Sequence, residues 1–386
     1  MLVRSNNLFI FNFRMKKFLV KLLIFSSPIL VLMIPPVIVL IESGENYTSI
    51  DTIIEQDKPY LIGYAYNEEN YKYLKWKTID AKKKVEVLAL GSSRVLQFRS
   101  QMFEQSFYNA GYTISSIKDF VPFLESIDEK KLPNYLIVSL DQWMFNENWD
   151  NLKKKSNTDE WKNAFQKIPK VKVLTNVWKD LLNSKYGFNL PKSSDGINRI
   201  GLNAVINNKG FRNDGSMYYG DQISKLIAND PTANDYNNAD TYDRIKKGNR
   251  RFEYGDRINP KALLELEKLL VYCKKKKIQL VAIIPTFSEK TNQRMFESGN
   301  YAYLNSIYPS CKKLFTHYNF EVYDFSSPKN IGSTDKEMID GMHGGELNYL
   351  KMLIKMLESH SVLNKVADLN KLKTQLNLKK NSLEVY

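Results

Sequence analysis

The sequence predicts an α/β fold with a doubly wound, mainly parallel five-stranded sheet. Five short, nearly continuous apolar runs indicate the strands: VEVLALG at 85–91, FYNAGY at 107–112, NYLIVSLD at 134–141, IQLVAIIP at 278–285 and FEVYDFS at 320–326. Such runs are typical of strands buried on both faces of a parallel sheet. Helical patterns alternate with the runs, and this alternation predicts helices on both faces of the sheet.

The composition narrows the class of protein. Of the 386 residues, 43% are apolar and 25% are charged, which excludes a mainly disordered, collagen-like or multi-span membrane chain. The net charge is +14, but +5 of it lies within residues 1–21 and the rest is diffuse. Because no basic motif with interleaved aromatic residues accompanies this charge, we expect no sequence-specific binding of nucleic acid.

The first predicted element is a transmembrane helix over residues 18–41, after a short cytoplasmic N-terminus at 1–17. Leu22 to Ile41 is a run of 20 residues without a charge, enough to cross a hydrocarbon core of about 30 Å. Basic residues precede the run and acidic residues follow it, so the positive-inside rule places the bulk of the chain outside the cytoplasmic membrane, in the periplasm. Prolines at 28, 35 and 36 predict a kink. A cleaved signal peptide is the alternative, and Met15 is an alternative start.

The rest of the chain divides into a connector, a main domain and a tail. Residues 42–84 are polar and predict a connector, whereas residues 85–360 hold the five strands. Within that domain, residues 142–256 are rich in Asn, Asp, Gly and Lys, which predicts a large insertion after the third strand and outside the sheet. Residues 361–386 predict an amphipathic or frayed C-terminal tail.

Two short motifs carry side chains suited to nucleophilic catalysis. Gly91-Ser92-Ser93-Arg94 directly follows the first strand, at the edge where open α/β sheets bind ligands. Asp340-Gly341-Met342-His343 places a carboxylate and an imidazole three residues apart before the last helix. A serine hydroxyl needs a histidine to take its proton, and that histidine needs an acceptor on its other nitrogen. We therefore predict a triad of Ser93, His343 and Asp340; simple helix caps are the alternative.

These blocks resemble those of the SGNH (GDSL-like) hydrolase and acyltransferase superfamily over roughly residues 85–360. Its first block is Gly-Asp-Ser after the first strand, and its last is Asp-x-x-His before the final helix. The serine at position 92, the segment 323–327 and the N-terminal anchor are most similar to the D-alanyl transfer proteins of teichoic acid modification and the periplasmic proteins of alginate O-acetylation. The resemblance implies an extracytoplasmic SGNH-like catalytic domain that moves an acyl group to a glycan beside a multi-span membrane O-acyltransferase.

The middle blocks depart from the family pattern. The second block keeps Asn109 and one glycine, and the third block lacks the asparagine whose amide binds the oxyanion. Since loss of one such donor costs about 100-fold to 1000-fold, slow hydrolysis with retained acyl transfer is expected. The side chains and N–H groups predicted to contact the oxyanion or the substrate are those of Gly91, Gly111, Ser115, Asp141, Gln142 and Arg212, with Tyr218 beside them.

Three functions stay open at this point. The first is an acyltransferase that O-acylates a cell-surface or secreted glycan, in the simplest case with acetyl. The second is a carbohydrate esterase or deacetylase with the same triad, and the third is a non-catalytic glycan-binding partner of a membrane O-acyltransferase. No cofactor or metal is expected, because the three histidines and two cysteines form no ligand motif. Cys273 and Cys311 either pair or stay as separate thiols.

Overall fold

A computed structural model describes residues 3–56, 58–149, 152–163 and 168–386. Residues 1–2 of the predicted cytoplasmic N-terminus, residue 57 of the predicted connector, and residues 150–151 and 164–167 of the predicted insertion lie outside the described residues. The described chain is an α/β protein with one parallel sheet of five strands and a second sheet of four short strands.

The large sheet has the predicted parallel arrangement. The strands in chain order are β1 Tyr60–Ile62, β2 Val87–Gly91, β3 Phe107–Gly111, β4 Tyr135–Ser139, β5 Asn198–Ile200, β6 Gly210–Phe211, β7 Met217–Tyr218, β8 Gln279–Ile284 and β9 Glu321–Asp324. The large sheet has the order β3-β2-β4-β8-β9, and all its neighbouring strands are parallel. The prediction of a parallel five-stranded sheet is confirmed. Strand β2, from the run at 85–91, lies inside the sheet, and β4 is the central strand.

Helices of varied length connect the strands. The α-helices are α1 Val3–Glu42, α2 Ile50–Ile54, α3 Asn70–Ala81, α4 Phe120–Glu125, α5 Asp159–Lys162, α6 Val171–Leu182, α7 Leu202–Asn207, α8 Asp221–Ile227, α9 Ala239–Lys247, α10 Pro260–Lys276, α11 Glu289–Ser298, α12 Leu304–Tyr318, α13 Glu346–Glu358 and α14 Leu369–Asn377. Short 3-10 helices lie at Ser93–Val95, Ser100–Met102, Ile117–Asp119, Glu129–Lys131, Gln142–Phe145, Tyr236–Asn238, Pro328–Ile331, Asp335–Glu337 and Val362–Lys365.

The large sheet is covered on both faces, because successive side chains of each strand point to opposite sides. Leu88 and Leu90 of β2 belong to one apolar cluster, which includes residues of α10 and α12. Val87 and Ala89 belong to a second cluster, which includes residues of α13 and α14. Burial of both faces explains why these strands read as continuous apolar runs in the sequence.

The strand order creates a crevice at the carboxyl end of β2. The chain runs from β2 to β3 on one side and then crosses to β4 on the other side of β2. Open α/β sheets bind their ligands outside the carboxyl ends of the strands at such a reversal. The last residues of β2 and β4, Gly91 and Ser139, therefore mark the place where a site is expected.

Residues 42–84 form more than the predicted polar connector. Strand β1 pairs in parallel with β5 and antiparallel with β6, and β6 pairs with β7, so the second sheet joins this segment to the predicted insertion. The second sheet has its own apolar cluster, which includes Ile53, Ile62, Tyr71, Leu74 and Phe211. Residues 142–256 do lie outside the large sheet, as expected, but three of their segments are strands of the second sheet.

Helix α1 is bent by 56° between Met15–Ile29 and Val31–Glu42. Pro28 lies just before the bend, and a proline inside a helix removes a backbone hydrogen bond and clashes with the preceding turn. Among the residues that the structure describes, no single helix has both the length and the apolar composition to cross a bilayer. The two bent halves of α1 meet that requirement only as a pair.

The C-terminal segment is packed and not frayed. Leu363, Val366, Leu372 and Val385 are buried against the large sheet and α13. The N–H groups of Val385 and Tyr386 donate to the Glu346 carboxylate at 3.0 and 3.2 Å. Residues 361–386, expected to be amphipathic or frayed, are therefore packed through their apolar side chains, and the chain end donates to a buried carboxylate at the start of α13.

Candidate active site

Ser93 is presented at the end of β2 by a tight turn. Gly91 approaches β4 so closely that a Cβ there would lie 2.9 Å from Ser139 Cβ. Ser92 is buried, and its hydroxyl accepts the N–H of Arg94 at 3.1 Å, which caps the short helix Ser93–Val95. The capping role considered for these serines thus belongs to Ser92, and the Ser93 side chain is left partly exposed.

The structure brings Ser93, His343 and Asp340 together in one hydrogen-bonded chain. Ser93 Oγ lies 2.9 Å from His343 Nε2, and Asp340 Oδ2 lies 2.7 Å from His343 Nδ1. Asp340 Oδ1 also accepts the N–H groups of Met342 and His343, both at 2.8 Å. One carboxylate therefore shapes the loop and fixes the plane of the imidazole, as a serine triad requires.

The electrostatics suit a histidine that accepts a proton from Ser93. Burial raises the pKa of Asp340, but the charge of His343 and the hydrogen bonds from His343 and Met342 outweigh it and hold that pKa below its usual value. An ionised Asp340 accepts the Nδ1–H of the imidazole. Nε2 then keeps its lone pair toward the Ser93 hydroxyl, which is the arrangement of a general base.

The loop of Asp340 and His343 is braced from the predicted insertion. Gly341 donates its N–H to Asp235 Oδ2 at 3.2 Å, and a Cβ at Gly341 would lie 2.5 Å from Thr241. Asp235 also accepts the hydroxyl and the N–H of Thr241. Ser288, after β8, donates its N–H to the Gly341 carbonyl. The predicted insertion thus supports the loop of Asp340 and His343, and a larger residue at 341 would displace this loop.

Arg94 is the principal site residue whose role the sequence did not reveal. Its guanidinium is completely buried and donates to Met342 O at 2.9 Å, Gln142 Oε1 at 2.5 Å and Pro285 O at 2.9 Å, and also to Thr286 O. These acceptors lie after β4, after β8 and in the loop of His343. The sequence offered one signal, which is a charged residue directly after the serine pair. In the structure this residue, Arg94, links these loops by hydrogen bonds.

The Gln142 amide is engaged within the protein and is not free for an oxyanion, and Asp141, predicted as a structural or substrate contact, makes a structural contact. Gln142 donates its amide to Pro285 O at 2.7 Å and accepts from Arg94. Asp141 is buried and accepts the Ser139 hydroxyl at 3.0 Å, and its Oδ2 has no hydrogen-bond partner among the described residues. Burial raises the pKa of Asp141, with the nearby charge of Arg94 acting in the opposite direction.

Gly111 and Ser115 also have their N–H groups engaged within the protein. Gly111 N–H donates to Asn109 Oδ1 at 2.9 Å, and Ser115 N–H donates to Asp119 Oδ2 at 3.3 Å. These two N–H groups of the turn predicted to hold an oxyanion are therefore not free in this structure. The N–H of Ser93 differs, since no acceptor for it is found in the described ranges of the chain.

Arg212 belongs to a buried ionic cluster and not to the crevice. It pairs with Glu346 at 3.2 Å and lies 4.5 Å from the centre of the Tyr218 ring. Glu346 also pairs with Arg99, and Asp214 pairs with Arg99 on the other side. Burial and the charge of Arg99 lower the pKa of Arg212 to about 10. The predicted substrate contact by Arg212 and Tyr218 is replaced by a structural contact to α13.

Arg251 is a better candidate for contact with a substrate. Its guanidinium lies 5.1 Å from the centre of the Trp143 ring, and its charge acts on Asp141, Arg94 and Tyr112, which all lie at the carboxyl edge of the sheet. Its backbone φ is +80°, a conformation that L residues rarely adopt. Arg251 has no hydrogen bond or ion pair with any other part of the chain that the structure describes.

Two cavities adjoin this region. The larger, of about 610 Å³, lies beyond the ends of β8 and β9 and is lined in part by Gln142, Phe287 and Asp324. The smaller, of about 250 Å³, is polar and reaches Asp340 from the side of Asp235. No group of three or more His, Cys, Asp or Glu side chains within the described residues has the geometry of a metal site. Cys273 and Cys311 are both buried free thiols.

The chain was also compared with known proteins. No protein-family model matches it, and no curated protein matches it at a significant level.

Proposed function

We propose that this protein is a membrane-anchored, extracytoplasmic acyltransferase of the SGNH type. It O-acylates a cell-surface or secreted glycan, in the simplest case with acetyl, through Ser93, His343 and Asp340. The observation that carries the proposal is the hydrogen-bonded chain from Ser93 Oγ through the imidazole to the Asp340 carboxylate. The strand order of the large sheet, 2-1-3-4-5 when its strands are numbered in chain order, supports a flavodoxin-like arrangement with the site at the reversal.

The proposed reaction has two halves. In the first, Ser93 Oγ attacks the carbonyl carbon of an acyl donor while His343 Nε2 takes the serine proton. The tetrahedral intermediate collapses, the bond to the donor oxygen breaks, and His343 returns the proton to that leaving oxygen. In the second, a glycan hydroxyl gives its proton to His343 and attacks the carbonyl carbon of the acyl-serine. The bond to Ser93 Oγ then breaks, and His343 returns the proton to that oxygen, which releases the acylated glycan and restores Ser93.

The surrounding residues have separate tasks in this proposal. The N–H of Ser93 is assigned to the developing oxyanion, and one donor fewer than usual fits slow attack by water. Arg94 acts as a positioning residue, since it ties the segment after Ser93 to the Met342 carbonyl beside His343. Arg251 is assigned to polar or anionic groups of the glycan, because its guanidinium makes no hydrogen bond or ion pair within the described residues and can offer charge-assisted hydrogen bonds.

The proposed location of the protein and its proposed partner rest on the resemblance to SGNH proteins and on the apolar stretch of α1. We propose that α1 anchors the chain in the cytoplasmic membrane with its N-terminus inside, and that a multi-span membrane O-acyltransferase supplies the acyl group. The apolar stretch and the basic flank before it support this orientation. If water took the place of the glycan hydroxyl, the same residues would act as an esterase.

The test uses the full chain in detergent micelles with p-nitrophenyl acetate as the acyl donor. We expect a burst of p-nitrophenol and a mass increase of one acetyl group, followed by slow decay in buffer and faster decay when an accepting oligosaccharide is added. His343→Ala should abolish the burst, whereas His360→Ala, at an exposed position outside the site, should retain it. Fast decay regardless of oligosaccharide would favour an esterase, and absence of a covalent acetyl group would overturn the proposal.

A further inference from the structure

Helix α6 has two apolar sides, and only one of them is covered by protein. Val173, Leu174 and Val177 are buried in a cluster with Val39 and Leu40 of α1. Val171 and Leu182, eleven residues or about three turns apart, share another side of α6. Both are largely exposed, at 72% and 78%. A covered helix of an isolated soluble domain normally has one apolar stripe, so the second stripe requires an explanation.

The exposed stripe is continued by neighbouring residues. Trp178 lies on the same side of α6, between Val171 and Leu182. Beyond the two ends of the helix, Ile168 and Phe188 are also exposed. Large apolar side chains scattered singly on a surface are ordinary, but a contiguous group of them marks an interaction surface.

The position of Trp178 shows where this surface lies along α1. The Trp178 indole N–H donates to the carbonyl oxygen of Leu32 at 2.6 Å. Leu32 is itself 60% exposed and belongs to the apolar run of α1, whereas Val39 and Leu40, nearer the folded domain, are buried. The exposed stripe of α6 is therefore continuous with the exposed apolar surface of α1.

The charges around α6 fit an anionic surface. Segment 168–197 contains five lysines and two aspartates, which gives a net charge of +3. Lys172, Lys179 and Lys192 are exposed, while Lys185 pairs with Asp180. Lysine ammonium groups beside an apolar stripe, with a tryptophan at its centre, are typical of helices at the boundary between lipid acyl chains and headgroups.

We propose that segment 168–188, with α6 at its centre, lies in the outer headgroup region of the same membrane that α1 enters. The inference rests on the proposed membrane anchor and adds a second contact to it. Val171, Trp178 and Leu182 face the acyl chains, and the lysines face anionic headgroups. Val39 and Leu40 of α1 then lie in the protein, whereas the exposed apolar side chains of α1 before them face lipid. Two contacts with the membrane fix the tilt of the folded domain relative to the bilayer, whereas a single helix would not.

The test places single nitroxide labels on the full chain in nanodiscs of phosphatidylglycerol and phosphatidylcholine. The labelled variants are Leu182→Cys for the stripe, Phe25→Cys for the anchor and Phe296→Cys for an exposed apolar position on α11. The parent chain, whose two cysteines are buried, supplies the background. The measured quantity is the ratio of label collisions with oxygen, which partitions into lipid, to collisions with a water-soluble nickel chelate.

The outcomes separate the two proposals. We expect the ratio at position 182 to be several-fold higher than at 296 and to approach the ratio at 25. A ratio at 182 equal to that at 296, with 25 in lipid, overturns the docking of α6 and leaves the anchor standing. An aqueous label at 25 overturns the anchor, and the docking of α6 with it.

Discussion

Replacing Arg94 by methionine should destabilise the protein and disable the site at the same time. Its guanidinium makes four hydrogen bonds while completely buried. A hydrogen bond from a charged donor contributes about 1.5–3 kcal/mol, so four contribute about 6–12 kcal/mol before the cost of burying the charge. Burial of an ion costs several kcal/mol. We therefore expect a net loss of about 3–5 kcal/mol in the free energy of unfolding.

The same substitution should slow acylation of Ser93. The Met342 carbonyl would lose its tether, and His343 would move relative to the serine hydroxyl. A displacement of about 1 Å in a catalytic group costs about 100-fold in rate. The acylation rate should therefore fall by about that factor at a temperature where the variant is still folded.

The assay combines urea unfolding, followed by tryptophan fluorescence in detergent micelles, with the burst of p-nitrophenol. Arg250→Met is the matched control, because Arg250 is 57% exposed and pairs with Asp240 on the surface. That control should change stability by no more than about 0.5 kcal/mol. If Arg94→Met matched the control in both stability and rate, the assigned role of Arg94 would be refuted.

Three further predictions concern the triad, a buried lysine and the chain end. Asp340→Asn should slow acylation less than His343→Ala does in the same burst assay, because the imidazole keeps a hydrogen-bond partner. Burial lowers the pKa of Lys75 well below its usual value. Between that lowered native pKa and the unfolded value of about 10.4 the unfolded chain binds more protons, so stability should rise with pH across this interval. Urea unfolding of Lys75→Met should show a flatter dependence on pH. Deleting residues 383–386 removes two N–H donors to the Glu346 carboxylate and should lower the free energy of unfolding by about 3–6 kcal/mol, measurable as a lower urea midpoint; a frayed tail would give no change.

The sequence predicted the large sheet because its strands are buried on both faces. Because the side chains on both faces are buried, each strand is one apolar run in the sequence. Such a run can be recognised without knowing which strand pairs with it. The second sheet gives no such signal. Its strands are two or three residues long, and Tyr60 pairs with Asn198, which lies 138 positions later in the chain, so only the folded chain reveals the pairing.

The site residues could be predicted where a suitable side chain also lies at a suitable place in the predicted fold. Ser93 stands at the end of a strand, and Asp340 and His343 lie in one short loop, so local patterns identify all three. The supporting contacts depend on distant residues. Gln142 bonds to Pro285, and Arg212 pairs with Glu346, only after separate elements have packed together. The prediction from the sequence therefore overestimated the number of hydrogen-bond donors that are free to contact a substrate.

The most direct test of the central claim is to find which atom carries the acyl group. The full chain is incubated with p-nitrophenyl acetate, and fragmentation mass spectrometry locates the acetyl group in the parent chain and in Ser93→Ala. Ser115→Ala, a change at an exposed serine whose N–H is held by Asp119, is the matched control. We predict one acetyl group on Ser93 in the parent chain and in Ser115→Ala, and none in Ser93→Ala. An acetyl group on another residue, or undiminished acetylation of Ser93→Ala, would contradict the account.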